Sequence, residues 1–291
     1  MTWLIMGGSG QLGLAVSDEL GDRGILFRAW GSQDLDISKG PIVLEIVSQL
    51  SPKVIINCAA WTNVDGAENN EILASRVNRD GAENIAMAAK NCGAKLIHLS
   101  TDYVFSGEGN SPLQVDDRID PQSAYGRTKA EGESRVLASY LENSSIVRTA
   151  WLYSPWGKNF AKTMVGLALN REGEVRVVND QIGQPTSAID LAKQLVELGL
   201  SDSLAGIYHG TNSGEATWFE FAREIFKLSG ADVNRVVPVS SSEYPGPALR
   251  PKYSVLSHDA WANTDVKPMR DWRIALEEAI SAIISTVKAE R

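Results

Sequence analysis

Tyr125 and Lys129 stand four apart in Tyr125-Gly126-Arg127-Thr128-Lys129, so on a helix they share one face, a turn apart. With 7 Tyr and 12 Lys in 291 residues, chance supplies about 0.3 such pairs, and spacing alone decides little. Position decides more. Thr101 lies 24 residues upstream, directly after the apolar run Leu96 to Ser100, at the carboxyl edge where a parallel sheet meets its ligand. These three residue types suit carbonyl reduction. A phenol with an ordinary pKa near 10 needs help to exchange protons near neutrality, and a cation at Lys129 favours the phenolate. Tyr125 can then protonate a carbonyl oxygen as hydride reaches its carbon, while Thr101 holds the same oxygen.

A hydride donor is implied by the N-terminus. Gly7, Gly10 and Gly13 form GxxGxxG between the strand-like Trp3-Leu4-Ile5-Met6 and a helical pattern from Gln11 to Asp22. That context allows a tight turn, close backbone approach to a pyrophosphate and close helix–sheet packing. The helix N-terminus adds free N–H groups and a positive dipole end. The second strand, Ile25 to Trp30, ends in Trp30-Gly31-Ser32 rather than in an acid. Nothing there repels a 2′-phosphate and Ser32 can bond one, which tilts the choice to NADPH over NADH; no arginine follows directly. Asp36 is the acid placed nearest an adenine, with a loop cap as its alternative role.

These residues must be held by a sheet. Strand-like runs at Val54 to Cys58, Leu96 to Ser100 and Ser145 to Thr149 alternate with helical patterns at Ser38 to Leu50, Ile72 to Cys92 and Ser123 to Tyr140. The alternation predicts a Rossmann-type, doubly wound parallel sheet over residues 1–150. Beyond it the composition shifts to Gly, Pro, Trp and Tyr, with helices at Asp190 to Leu200, Thr217 to Leu228 and Asp271 to Lys288. We expect 151–291 to form mainly a smaller α/β substrate lobe, some of whose strands return to the sheet, with a cleft between the two.

Composition narrows the class. Lys plus Arg is 28 and Asp plus Glu is 36, a formal net charge of −8, which carries no footprint for nucleic acid or an anionic membrane. Two cysteines fit a reducing cytoplasm. Three scattered histidines make no metal spacing, so no metal site is predicted, and Mg²⁺ stays open. No apolar run spans a membrane and no leader precedes the first strand, which points to a cytoplasmic protein.

Longer motifs narrow it further. Met6-Gly7-Gly8-Ser9-Gly10-Gln11-Leu12-Gly13, Ile56 through Asp65, Ser100-Thr101-Asp102-Tyr103-Val104-Phe105, Arg148 through Tyr153, Asp180 through Thr186 and Glu243 through Pro251 together resemble the dTDP-4-dehydrorhamnose reductase family of extended short-chain dehydrogenases/reductases. The resemblance runs over almost the whole chain. It implies NAD(P)H-dependent reduction of the 4-keto group of dTDP-4-dehydro-β-L-rhamnose, the last step of dTDP-L-rhamnose synthesis, with a homodimer left open. Thr101, Tyr125 and Lys129 match its catalytic set. Gly7, Gly10, Gln11, Leu12, Gly13, Ser32, Asp36, Ile37, Ala59, Ala60, Trp61 and Thr62, with Tyr125 and Lys129, fall at cofactor positions. Val64, Thr101, Asp102, Tyr125 and Trp151 fall at substrate positions.

Asn159 and Arg250 are further substrate candidates, Arg250 because arginine suits a diphosphate; a surface role is the alternative for each. Trp218, Phe219 and Phe221 read as core of the small lobe, Asp116-Asp117 as solvated, and Glu277-Glu278 as a solvated helix face or a metal-assisted dimer contact. Two other functions stay open: reduction of another 4-keto sugar nucleotide of the dihydrostreptose or talose type, and a non-catalytic regulatory subunit. The intact Thr101, Tyr125 and Lys129 argue against the second.

Overall fold

Strands apolar on both faces need helices on both sides, and the chain supplies them. The computed structural model describes residues 2–170, 172–202 and 205–290. Its first half runs β1 (Trp3–Met6), α1 (Gln11–Asp22), β2 (Phe27–Trp30), α2 (Gly40–Leu50), β3 (Val54–Asn57), α3 (Val64–Glu68) and α4 (Glu71–Ser75). Then come α5 (Ala82–Cys92), β4 (Lys95–Thr101), α6 (Ala124–Tyr140) and β5 (Ser144–Thr149). The second half opens with β6 (Leu152–Tyr153), α7 (Phe160–Asn170), β7 (Val175–Val178), β8 (Ile182–Gly183), β9 (Thr186–Ser187) and α8 (Ala188–Leu200). It ends with β10 (Gly206–His209), β11 (Asn212–Ser213), β12 (Ala216–Thr217), α9 (Trp218–Leu228), β13 (Val236–Val239), β14 (Met269–Asp271) and α10 (Trp272–Ala289).

Six strands form one sheet in the order β10-β5-β4-β3-β1-β2, every pair parallel. Trp3, Ile5, Val54, Ile56, Ile97 and Val147 pack against α1 and α8. Their neighbours Leu4, Met6, Ile55, Leu96 and Ile146 pack against α2, α5 and α6, as the two-residue strand period requires. The order reverses between β1 and β3, and a ligand belongs beyond the carboxyl ends there. A second core joins α7, α9 and α10 with Val175 and Val177 of β7 and Val236 of β13.

Helix starts follow their caps. Ser123 accepts a bond from the Gly126 N–H at 3.1 Å ahead of α6, Thr217 and Glu220 form a capping box on α9, and Asp271 accepts from Arg273 N–H ahead of α10. Two expectations shift. The second strand begins at Phe27 because the Ile25 N–H is drawn back to Leu20 O, closing the end of α1. The helix expected from Ile72 to Cys92 carries a π-helical segment, Arg76–Gly81, between α4 and α5.

Candidate active site

The glycine turn presents backbone to a cavity of about 580 Å³ at the switch point. Gly7 has φ +75°, and a Cβ there would meet Ala59 N at 2.6 Å; a Cβ on Gly13 would lie 2.2 Å from Gly7 O. Neither position has room for a side chain, so β1, β3 and α1 can close on one another. No side chain among the described residues caps α1 at Gly10, and its first turn holds no acid. Its N–H groups are therefore available to an anion.

The rest of the expected cofactor wall comes together around this turn. Gly7, Gly10, Gln11, Leu12, Gly13, Ser32, Asp36, Ile37, Ala59, Ala60 and Thr62 all line the cavity. The Asp36 carboxylate accepts from both the N–H (3.0 Å) and the hydroxyl (2.7 Å) of Ser38, which holds its pKa below the ordinary value. Asp34 accepts from the Gly31 N–H at 2.8 Å. Trp61 stands outside the lining. Its N–H and C=O are both gripped by the Asn78 side chain, at 2.8 and 3.2 Å, and its indole turns to Asn63 O at 3.0 Å.

Across the cavity stand Val64, Thr101, Asp102, Tyr125, Lys129 and Trp151. Lys129 is 2 % exposed, and its Nζ donates to Leu99 O of β4 at 2.5 Å. Burial lowers its pKa to about 8, against the pull of Glu133 and Cys58. Burial raises the Tyr125 phenol to about 12; the Thr101 hydroxyl opposes the shift and the Asp102 charge adds to it. The groups acting on the phenol are thus Thr101 and Asp102, and the ammonium expected beside it is turned to the strand end. A phenol so held keeps its proton until a charge develops beside it. Asp102 is itself raised to about 6 by burial, with the Ser254 and Thr101 hydroxyls opposing. Thr101 Oγ1 donates to Asp102 Oδ1 at 3.0 Å.

Two substrate candidates are engaged away from the cavity wall. Asn159 Nδ2 donates to Gln11 Oε1 at 2.9 Å, so it sits behind the cofactor turn. Arg250 pairs with Asp65 at 2.8 Å, beside Val64. Of the lesser candidates, Glu278 is bound by Arg270, which also grips Asp190.

Sequence reasoning passed over three features. Asn78, 1 % exposed, also donates to Thr128 Oγ1 at 2.9 Å, and Thr128 donates to Tyr125 O at 2.9 Å. One amide thus ties the loop after β3 to the helix carrying Tyr125. The π turn that aims it is the kind of irregularity that collects at functional sites; an asparagine on the apolar face of an Ala-rich helix was the available signal. Lys158 lines the cavity beside Gln11, within a glycine-bearing loop. The fully buried pair Arg148–Glu133, at 2.8 Å, left no local trace.

Ser100 Oγ, Asp102 Oδ2 and Thr149 Oγ1 are buried, without a hydrogen-bond partner among the described residues, and all three residues line the cavity. Unsatisfied polar atoms of this kind are costly without a ligand. With the glycine cradle they fit a dinucleotide and a second polar ligand.

A family model described as "RmlD substrate binding domain" matches residues 1–285. The chain belongs to that family. A dTDP-4-dehydrorhamnose reductase of Streptomyces griseus is 45% identical over 285 residues, 97% of this chain and 93% of that protein. A dTDP-4-keto-6-deoxy-D-glucose reductase of Streptomyces niveus is 44% identical over 277 residues, 95% and 96% of the two chains. The crystal structure of a Bacillus anthracis dTDP-4-dehydrorhamnose reductase in complex with NADP superposes with a TM-score of 0.92 at 39% identity, covering 96% of this chain and 98% of that one. Family membership and the Rossmann-type fold agree with the expectation from sequence.

Proposed function

We propose that this protein reduces the 4-keto group of dTDP-4-dehydro-β-L-rhamnose to dTDP-β-L-rhamnose. The observation that carries the reading is the convergence of Thr101, Tyr125 and Lys129 on the cavity that begins at the glycine turn. NAD(P)H, when bound, supplies the hydride. The first turn of α1 and the backbone of Gly7 would hold its pyrophosphate, and Ala59, Ala60 and Thr62 would flank it. Lys129 Nζ, fixed at the end of β4, would hold ribose hydroxyls. Thr101 Oγ1 positions the substrate carbonyl oxygen, and Tyr125 Oη gives that oxygen its proton as the carbon receives hydride. The phenolate left behind accepts from the newly formed substrate hydroxyl and recovers its proton from solvent. Val64, Asp102 and Trp151 bound the sugar.

β2 ends in Trp30 rather than in an acid, and Asp34 and Asp36 each accept through one oxygen from the neighbouring loop, from Gly31 and Ser38. The missing acid at the strand end supports NADPH over NADH. The reading places the enzyme in the cytoplasm; no described helix is long and apolar enough to cross a membrane. The S. niveus relative favours one alternative, reduction of a different dTDP-4-keto-6-deoxy sugar. Turnover of both purified 4-keto sugar nucleotides, each with NADH and NADPH, tests the proposal. We expect the rhamnose precursor with NADPH to give the highest kcat/KM. No oxidation of either cofactor would leave the regulatory-subunit reading in its place.

A further inference from the structure

Among the described residues only Ser51 and Trp151 combine a side chain with a left-handed backbone, at φ 44° and 45°. Ser51 closes the end of α2, where that conformation is usual. Trp151 has no such setting, and a bulky aromatic residue there is a genuine outlier. Strained residues persist where their surroundings over-determine them. Here the Trp151 carbonyl accepts from the Thr186 N–H at 3.2 Å, and its indole stacks on Trp218 with centroids 3.5 Å apart and planes at 9°. On β8, Gly183 leaves the space the indole needs: a Cβ there would come within 2.6 Å of Trp151 Cε2. Trp218 is braced in turn by Phe160 at 4.6 Å and opens α9 behind its capping box.

We infer that Trp218 and Gly183 are positioning residues for the sugar-nucleotide subsite, holding the Trp151 indole as its wall from outside the cavity. The inference rests on the proposed reductase function. Trp151 lines the cavity, and Trp218 and Gly183 pack against its indole from behind. Their influence passes through one indole, on the side of the cavity away from the glycine turn. A wall displaced by about 1 Å misplaces the reacting carbon against Tyr125, which can cost on the order of 10²-fold in rate. The cofactor wall, built on other elements, stays as it is.

The test compares Trp218→Ala, Trp218→Phe and Gly183→Ala with the wild type, using dTDP-4-dehydrorhamnose kinetics and calorimetric binding of dTDP-β-L-rhamnose and NADPH. Gly183→Ala moves the indole without deleting a ring, and Trp218→Phe keeps an aromatic face, so the comparison survives if Trp218→Ala folds poorly. We expect Gly183→Ala and Trp218→Ala to lose roughly tenfold or more in kcat/KM and in dTDP-rhamnose affinity. Trp218→Phe should recover most of the loss, and NADPH affinity should stay within about twofold throughout. Wild-type sugar-nucleotide parameters in Gly183→Ala, a parallel loss of NADPH affinity, or no recovery in Trp218→Phe would each overturn the inference. A wild type that binds dTDP-rhamnose yet reduces no ketone overturns the reductase function instead, and the stack is then judged on affinity; a wild type that binds neither overturns both.

Discussion

The two walls of the cavity are built from different materials. Around the glycine turn the wall is centred on close-packed glycines and small residues, Gly7, Gly10 and Gly13, the loop after β3 at Ala59, Ala60 and Thr62, and Gly31 after β2, with Leu35, Asp36, Ile37 and Lys158 around them. Opposite it the wall is side chains, Thr101, Asp102, Tyr125, Lys129 and Trp151, carried by β4, α6 and the segment after β5. Backbone donors serve any pyrophosphate, and they need only that nothing protrude. Side chains can be tuned to one oxygen, but each must be held in place, by Thr101 Oγ1 at Asp102, by Leu99 O at Lys129, by Asn78 through Thr128 at Tyr125.

Removing the proton donor should separate the walls most sharply. Tyr125→Phe is expected to lower kcat by about 10³-fold while leaving NADPH affinity within about twofold, measured by single-turnover kinetics and titration; a fully active variant would refute the role given to Tyr125. The next effect concerns a buried charge. Burial raises the Asp102 carboxyl to about 6, above its ordinary value of 3.8. Its protonated form therefore adds stability that is fully present below pH 4 and is lost as pH rises through about 6. Two pKa units correspond to about 3 kcal/mol. Asp102→Asn should gain stability on the wild type by an amount of that order between pH 4 and pH 8, in urea unfolding at both. A pH-independent difference would mean the carboxylate is better solvated than its burial implies.

On the glycine-lined wall the corresponding change is Gly13→Ala. Its Cβ would meet Gly7 O at 2.2 Å, and overpacking of that kind costs about 2 kcal/mol. Urea unfolding should show a loss of that order, and NADPH affinity should fall while dTDP-sugar affinity stays nearly unchanged; wild-type stability would refute the close approach. The smallest effect should come where the walls meet. Gln11 Oε1 accepts from Ser154 Oγ at 3.0 Å and from Asn159 Nδ2 at 2.9 Å, so Gln11→Ala removes a shared acceptor. A loss of about 1 kcal/mol should weaken both ligands a few-fold and lower the thermal midpoint by about 3 °C. An effect on one ligand alone would show the walls to be uncoupled at Gln11.

How far the sequence could be read follows the same division. Backbone features are local, so α1 appears in the structure with its expected bounds, and Ser123, Thr217 and Asp271 mark helix starts as caps. The glycine spacing located the close-packed turn at the cavity because its steric demands fall within one turn. The π segment stayed hidden because one wide turn leaves the apolar periodicity of Ile72 to Cys92 intact. The stack of Trp151 on Trp218 joins residues 67 apart, and no local pattern encodes such a meeting; Trp218 read as core, which describes its packing and omits what it supports. Arg250 shows another gap. Its residue type suits phosphate, and only the fold shows that it pairs with Asp65, 185 residues away.

One strand has a bearing on how the chain is made. β10, residues 206–209, lies beyond β5 at the edge of the main sheet, paired along Ser145–Arg148, while α8 covers the face that α1 shares. Until residue 209 has emerged from the ribosome, β5 is an open edge and the apolar face beside α1 is bare. Such edges invite pairing with other chains. A fragment ending at residue 150 would keep the glycine turn, Tyr125 and Lys129, yet is expected to aggregate where the full chain does not, because the second half supplies both the missing strand and the covering helix.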